Sequence, residues 1–184
     1  MTAFLGRDIG TTSTGGILID AAVKTLATAE RPSELMSRHA NWAEEDPELW
    51  WSNCQALCQD LIEASGISAG DIAAVGVTGM VPAILLLDRD GKVLRPSIQQ
   101  NDARATAEIE AMQARFDRLR FFKLTGGSIN QQVVAPKLRW LHRHEPEVFA
   151  KIATIFGSYD YIAWRLSGVR SIEHGNYLDD GTAK

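Results

Sequence analysis

The sequence predicts an α/β protein built on a mixed sheet, with three antiparallel N-terminal strands flanked by helices. Three observations predict it. Short apolar runs crowd the first thirty residues, too close together for helical crossovers, so they pair as a meander. A capped amphipathic segment follows between Asp46 and Gly66. Beyond it, apolar runs of strand length alternate with stretches of helical periodicity.

Residues 4–9 read as a buried strand, 10–13 as a Gly/hydroxyl turn, 15–20 as a second strand and 23–29 as a third. Asp46 is a good N-cap, and Pro47 sits at the first helical position, where its missing N–H costs nothing. Trp50, Cys54, Leu57, Cys58 and Leu61 recur at helical spacing, and Gly66 ends the helix. Cys54 and Cys58 read as small core residues on that stripe rather than a metal or redox pair, because no other Cys or suitably placed His completes a site.

Residues 72–78 form an apolar run before Gly79, which predicts a strand buried on both faces. Runs at 83–87 and 93–98 flank Asp88-Arg89-Asp90-Gly91-Lys92, an Asp-Gly hairpin signal. A second helix carries Ala105, Ile109, Met112, Phe116 and Leu119 on one stripe. A polar loop at 125–132 follows, then helices opened by Pro136 and Pro146, a short strand at 154–157 and a helix at 159–166. Trp50, Trp51, Trp140 and Trp164 are expected as core anchors, whereas Trp42, in a polar stretch, is the better candidate for an exposed contact. His39, His142, His144 and His174 have no ligand spacing. The element order suits the ribonuclease H-like sheet of the actin/hexokinase-type ATPases better than a doubly wound nucleotide fold.

Composition narrows the partners. At 45% hydrophobic the 184 residues can bury a sizeable core, and a net charge of −4 without a Lys/Arg cluster argues against nucleic-acid binding. No basic n-region precedes an apolar stretch at the N-terminus, and no apolar run approaches bilayer length, so a cytoplasmic protein away from membranes is expected.

The chemistry concentrates in Asp8-Ile9-Gly10-Thr11-Thr12-Ser13. A tight Gly turn can point successive backbone N–H groups at an anion, and hydroxyls add donors without bulk. Asp8 alone would repel phosphate. Its place beside an anion cradle implies a bridging cation, Mg²⁺ held partly through water. Gly10, Thr11, Thr12 and Ser13 are the expected phosphate contacts and Asp8 the metal contact, the alternative being an ordinary Gly/Thr hairpin with an Asp cap. This is no Walker A loop, since the turn leads into a strand and carries no Lys. Gly79-Met80-Val81-Pro82 is a second candidate, a loop at a strand C-terminus, although its spacing alone favours a plain strand–strand connection. Gln99-Gln100-Asn101-Asp102 is a third; its amides and carboxylate suit a polyol, and Asn101 or Asp102 equally suits a helix cap.

With these residues in view, the chain resembles the FGGY carbohydrate kinases, and most of all their xylulokinase branch. The likeness rests on the Asp8–Ser13 segment, Glu45-Asp46-Pro47-Glu48-Leu49-Trp50-Trp51, Gly76-Val77-Thr78-Gly79-Met80, Leu94-Arg95-Pro96 with Asn101-Asp102-Ala103-Arg104, and Ala135-Pro136-Lys137-Leu138-Arg139-Trp140, all in the family's order. It implies ATP-dependent phosphoryl transfer to a sugar or polyol hydroxyl, with ATP and Mg²⁺ at Asp8 and the Thr11/Thr12 turn. Met80, Val81, Gln100, Asn101 and Asp102 would line the sugar site. Two departures leave the sugar open: Met80-Val81-Pro82-Ala83 stands where xylulokinases carry Gln-Met-His-Gly, and Gln100 where they carry Trp.

Family members continue into a second actin-like half that holds the general-base Asp, so that base is expected beyond Lys184. Asp160, Asp179 and Asp180 lack its glycine-rich setting. Residues 1–184 are therefore expected to be an incomplete N-terminal domain, inactive alone, with no catalytic base of its own. A homodimer stays open. The alternatives are an actin-like nucleotide switch or sugar sensor and, further off, a ribonuclease H-like nuclease, which the acidic balance disfavours.

Overall fold

β1 (Ala3–Ile9) alternates buried and exposed residues along its length, so one face of the strand is covered and the other is not. The computed structural model describes residues 1–172 and divides the chain into two units. The first comprises residues 1–35, 45–80 and 158–170; the second comprises 36–44, 81–157 and, of the described residues, 171–172. His174, Asp179, Asp180 and Lys184 lie outside the described residues, and so does the general base expected beyond Lys184.

In the first unit β1 pairs antiparallel with β2 (Ser13–Asp20), and β2 antiparallel with β3 (Thr25–Pro32). After the helix, β5 (Ile72–Gly79) returns parallel to β1, giving the sheet order β3-β2-β1-β5. The predicted meander is present, although its third strand starts later than residue 23. Val23 sits in the connecting turn at φ 64°, where Asp20 Oδ1 accepts from the N–H groups of Ala22 (2.8 Å) and Lys24 (2.9 Å). These side-chain bonds favour a turn over continued pairing.

α1 (Pro47–Ser65) covers one sheet face. Asp46 accepts from Glu48 N at its start, and Gly66 ends it at φ 70°. Leu61 packs with Ala3, Leu5 and Leu18 to form the core. Arg7 is buried there too and donates to Cys58 Sγ at 2.7 Å. Cys54 and Cys58 are both free; burial pushes the Cys54 thiol up to about 11, against the pull of Arg7. On the opposite face Phe4, Ile17 and Ala74 are exposed among the described residues. The strand expected at 72–78 is therefore not buried on both faces. β5 closes the sheet as an edge, and residues 73–76 and 78 are exposed. An apolar run sets strand character; the number of neighbours depends on the rest of the fold. α6 (Ser158–Ser167) packs against β5 within the same unit.

The second unit is built on Ile84, Leu86, Ile98, Ala105, Val134, Trp140 and Leu141. β6 (Leu85–Leu87) pairs antiparallel with β8 (Thr154–Phe156). Gly91, at φ 82°, makes the predicted Asp-Gly turn, with Asp88 N donating to Lys92 O at 3.0 Å. Ile84 and Ile98, the latter in β7 (Ser97–Ile98), exchange both backbone hydrogen bonds. The single helix expected across Ala105 to Leu119 is instead two, α2 (Thr106–Gln113) and α3 (Arg118–Thr125). Asp117 starts the second by accepting from Arg120 N, so Phe116 and Leu119 leave the stripe and are exposed. α4 (Val134–His144) begins two residues before Pro136, and α5 (Pro146–Phe149) follows. No helix among the described residues is long and apolar enough to cross a membrane.

Glu45, the second residue of β4 (Glu44–Glu45), makes the first unit sensitive to pH. It is buried, with Oε2 accepting from Trp50 Nε1 at 2.6 Å and Oε1 without a partner among the described residues. Burial pushes its carboxyl from 4.5 up to about 7, against the Trp50 hydrogen bond. Between those values the folded chain keeps a proton that the unfolded chain has lost, so this group's contribution to stability falls as pH rises through that window. Glu45→Gln should therefore gain on the parent by on the order of 2 kcal/mol between about pH 5 and pH 8. Urea unfolding at the two pH values measures the difference.

Candidate functional site

The 10–13 turn joins β1 to β2 in the first unit. Gly10 N donates to Ser13 O at 2.9 Å, and a Cβ on Gly10 would meet that oxygen at 3.0 Å, so glycine lets the turn close without displacing Ser13. Ser33 clamps the turn from β3's end, its N–H donating to Thr12 O at 2.9 Å and its hydroxyl to Gly10 O at 3.2 Å. The N–H groups of Thr11 and Thr12 meet no backbone acceptor among the described residues.

Asp8 is the last outward-facing residue of β1. It is exposed, and no ion pair among the described residues engages its carboxylate. Gly15 faces it across the β1–β2 ladder and Thr78 across the β1–β5 ladder. Gly6, Gly15 and Gly76 keep this sheet face low, and an open cleft of about 550 Å³ lies over it with Asp8, Thr78 and Glu30 on its walls.

Met80 belongs to this unit as well. Its N–H donates to Ile9 O at 2.9 Å, its carbonyl accepts from Ser158 Oγ at 3.1 Å, and its sulfur accepts from the Thr11 hydroxyl at 2.7 Å. Gly79 permits the approach: a Cβ there would lie 2.6 Å from Ser158 Oγ and 2.9 Å from Ile9 O. Thr11 and Met80, assigned to different ligands in the sequence, are thus direct neighbours. Val81 belongs to the second unit and is half-buried.

In the second unit the polar loop leaves β7 at Gln99. Gln100 is half-buried and Asn101 exposed. Asp102 differs. It is buried, and its four acceptor positions are taken. Oδ2 accepts from Ala43 N at 2.6 Å and Arg104 Nη2 at 2.7 Å; Oδ1 accepts from Arg104 N at 3.0 Å and Nε at 2.8 Å. The carboxylate expected to meet a sugar has no lone pair left for one, and it braces the loop instead.

Arg104 is held further by Glu44 Oε1 at 2.8 Å, which Arg95 also engages. Burial opposes the Arg104 charge, yet Asp102 and Glu44 outweigh it and keep the pKa above its ordinary value. The guanidinium lies 3.8 Å from the centroid of the Trp42 ring and 5.0 Å from that of Trp140. Trp42, expected as an exposed contact, is half-buried in this stack, edge-on to Trp140 at 5.3 Å. From below, Lys137 Nζ donates to Gln99 O at 2.8 Å and Gln100 O at 3.4 Å. Arg104 and Lys137 stood in the recognised segments with no role attached; nothing in their spacing brings them to one loop.

Among the described residues no cluster of three His, Cys, Asp or Glu side chains could hold a metal. A lone carboxylate fits Mg²⁺ that takes its other oxygens from phosphate and water.

Comparison with known proteins places these features in context. The family described as "FGGY family of carbohydrate kinases, N-terminal domain" matches residues 3–178. The crystal structure of xylulose kinase from Rhodospirillum rubrum is 45% identical, with a TM-score of 0.92 over 97% of this chain and 37% of that one. Xylulose kinase from Escherichia coli K12 is 32% identical over 90% of this chain and 33% of its own length. Glycerol kinase from Methylorubrum extorquens is 32% identical over 88% of this chain and 33% of its own length. The chain thus spans about a third of the length of the curated relatives it matches.

Asp102→Ala should unfold more easily by about 3 kcal/mol, because it strips a buried arginine of its main partner and leaves Ala43 N unpaired. Chemical denaturation followed by Trp fluorescence measures the loss.

Proposed function

The chain belongs to the FGGY family of carbohydrate kinases, and from that premise we propose that it contributes two loops to ATP-dependent phosphorylation of a pentulose or related sugar or polyol. The observation that carries the proposal is the exposed, unpaired Asp8 at the end of β1, set beside a glycine turn with hydroxyls at Thr11, Thr12 and Ser13. An unpaired carboxylate beside anion-binding N–H groups is electrostatically unfavourable unless a cation joins them.

In this scheme Asp8 and phosphate oxygens hold Mg²⁺, which neutralises charge on the transferring group. Gly10 lets the backbone approach the phosphates closely, and the Thr12 and Ser13 hydroxyls donate to them. The Thr11 hydroxyl exchanges its sulfur acceptor on Met80 for a phosphate oxygen, a stronger acceptor. Gln100 and Asn101 hydrogen-bond acceptor hydroxyls, each amide matching a group that both donates and accepts. Val81 supplies apolar surface against the carbon skeleton. Asp102 acts by holding Asn101 in place.

The named relatives span a ketose kinase and a polyol kinase, which supports the substrate class and leaves its member open. The departures at Met80-Val81-Pro82-Ala83 and at Gln100 fall in these same two segments. The general base is proposed to lie beyond Lys184, so the isolated chain should turn nothing over. We place the chemistry in the cytoplasm, with ATP and the sugar or polyol as partners.

Two measurements test the proposal. ADP release by the full-length protein carrying this chain should appear with at least one of xylulose, ribulose, erythritol and glycerol; no turnover with any of them sinks it. Asp8→Asn should lower kcat by roughly 10²–10³-fold, the scale of removing one preorganised electrostatic contact, while leaving the acceptor KM within about twofold.

A further inference from the structure

Lys137 is 1% exposed, in the first turn of α4. Three features make that position costly for a cation. Burial strips its water, the positive end of the helix dipole lies beside it, and the Arg104 charge adds to both. Among the described residues no carboxylate accepts from it directly; Asp102 acts on it only through its field. Its hydrogen bonds go to the carbonyls of Gln99 and Gln100. Gln99 O also accepts from Asp102 N at 3.1 Å, which closes the turn that presents Asn101. An apolar residue would fill the same space without these costs, so the costs mark something other than stability.

We infer that Lys137 is a positioning residue of the acceptor loop: its buried ammonium clamps the carbonyls of Gln99 and Gln100 and so fixes how Gln100 and Asn101 meet a sugar or polyol. The inference rests on the function proposed above, since only an acceptor at this loop gives the clamp a use. Lys137 touches no substrate. It acts through a backbone whose misplacement by a fraction of an ångström weakens every acceptor hydrogen bond. Burial pushes the ammonium down to about 8, Asp102 opposing the fall and Arg104 adding to it, so the charge is in place at neutral pH.

The test uses the full-length protein with Lys137→Met, and with Lys137→Gln if the first variant does not fold. The acceptor KM should rise at least tenfold with the KM for ATP within twofold. A purely structural lysine would not move one without the other. Hydrogen exchange at the Asp102 amide should speed up at least tenfold, with β6 amides unchanged. An acceptor KM within threefold of the parent, or both KM values rising together, overturns the inference. If the parent phosphorylates none of the acceptors, the proposed function fails by itself; unchanged exchange at Asp102 then overturns the clamp, and faster exchange upholds it.

Discussion

A charge buried in a small unit must be matched by partners that cannot move away, and the pairing of Asp102 with Arg104 meets that demand in the second unit. Four hydrogen bonds saturate the carboxylate, three of them from one residue two positions on. The guanidinium in turn is pinned by Glu44 and by the faces of Trp42 and Trp140. Replacing such a pair with apolar residues often costs little, so its value lies less in stability than in allowing one loop geometry. The loop it permits is the one that exposes Asn101 and half-exposes Gln100.

The first unit solves a different problem. Under the proposed function its turn must stay open to an anion while the strands on either side stay fixed. The backbone is held from two directions, by Ser33 on the turn and by the Met80 N–H on Ile9 O. Glycine leaves room for the backbone at Gly10, where the turn closes, and at Gly79, where β5's end passes Ser158 and Ile9. With the backbone fixed in this way, Asp8 can remain outside any ion pair. Binding energy is then available for a ligand rather than consumed in ordering the site.

Much of the fold was legible in the chain because its signals are local. Asp46, Pro47 and Gly66 bound α1 within a turn of themselves, and Gly91 makes a turn that depends on no distant residue. The misreadings have two sources: local side-chain bonds that interrupt an apolar pattern, and neighbours that the pattern cannot record. The apolar stripe through Phe116 and Leu119 ignored Asp117, whose side chain could cap a new helix inside the old pattern. The run at 72–78 offers only its composition, and composition carries no record of whether a sheet ends there.

The sequence by itself determined the element types, the strand–turn–strand bearing Asp8 and Gly10, and membership of a kinase family through an ordered set of motifs. Each of these depends on residues a few positions apart or on their order. Only the tertiary structure decided that Asp102 faces inward, that Trp42 covers Arg104, and that Lys137 holds the carbonyls of Gln99 and Gln100. Those contacts join residues from 2 to more than 60 positions apart, and Asp102 engages near and far partners at once. Which donors reach a buried carboxylate is set by packing, and periodicity cannot express it.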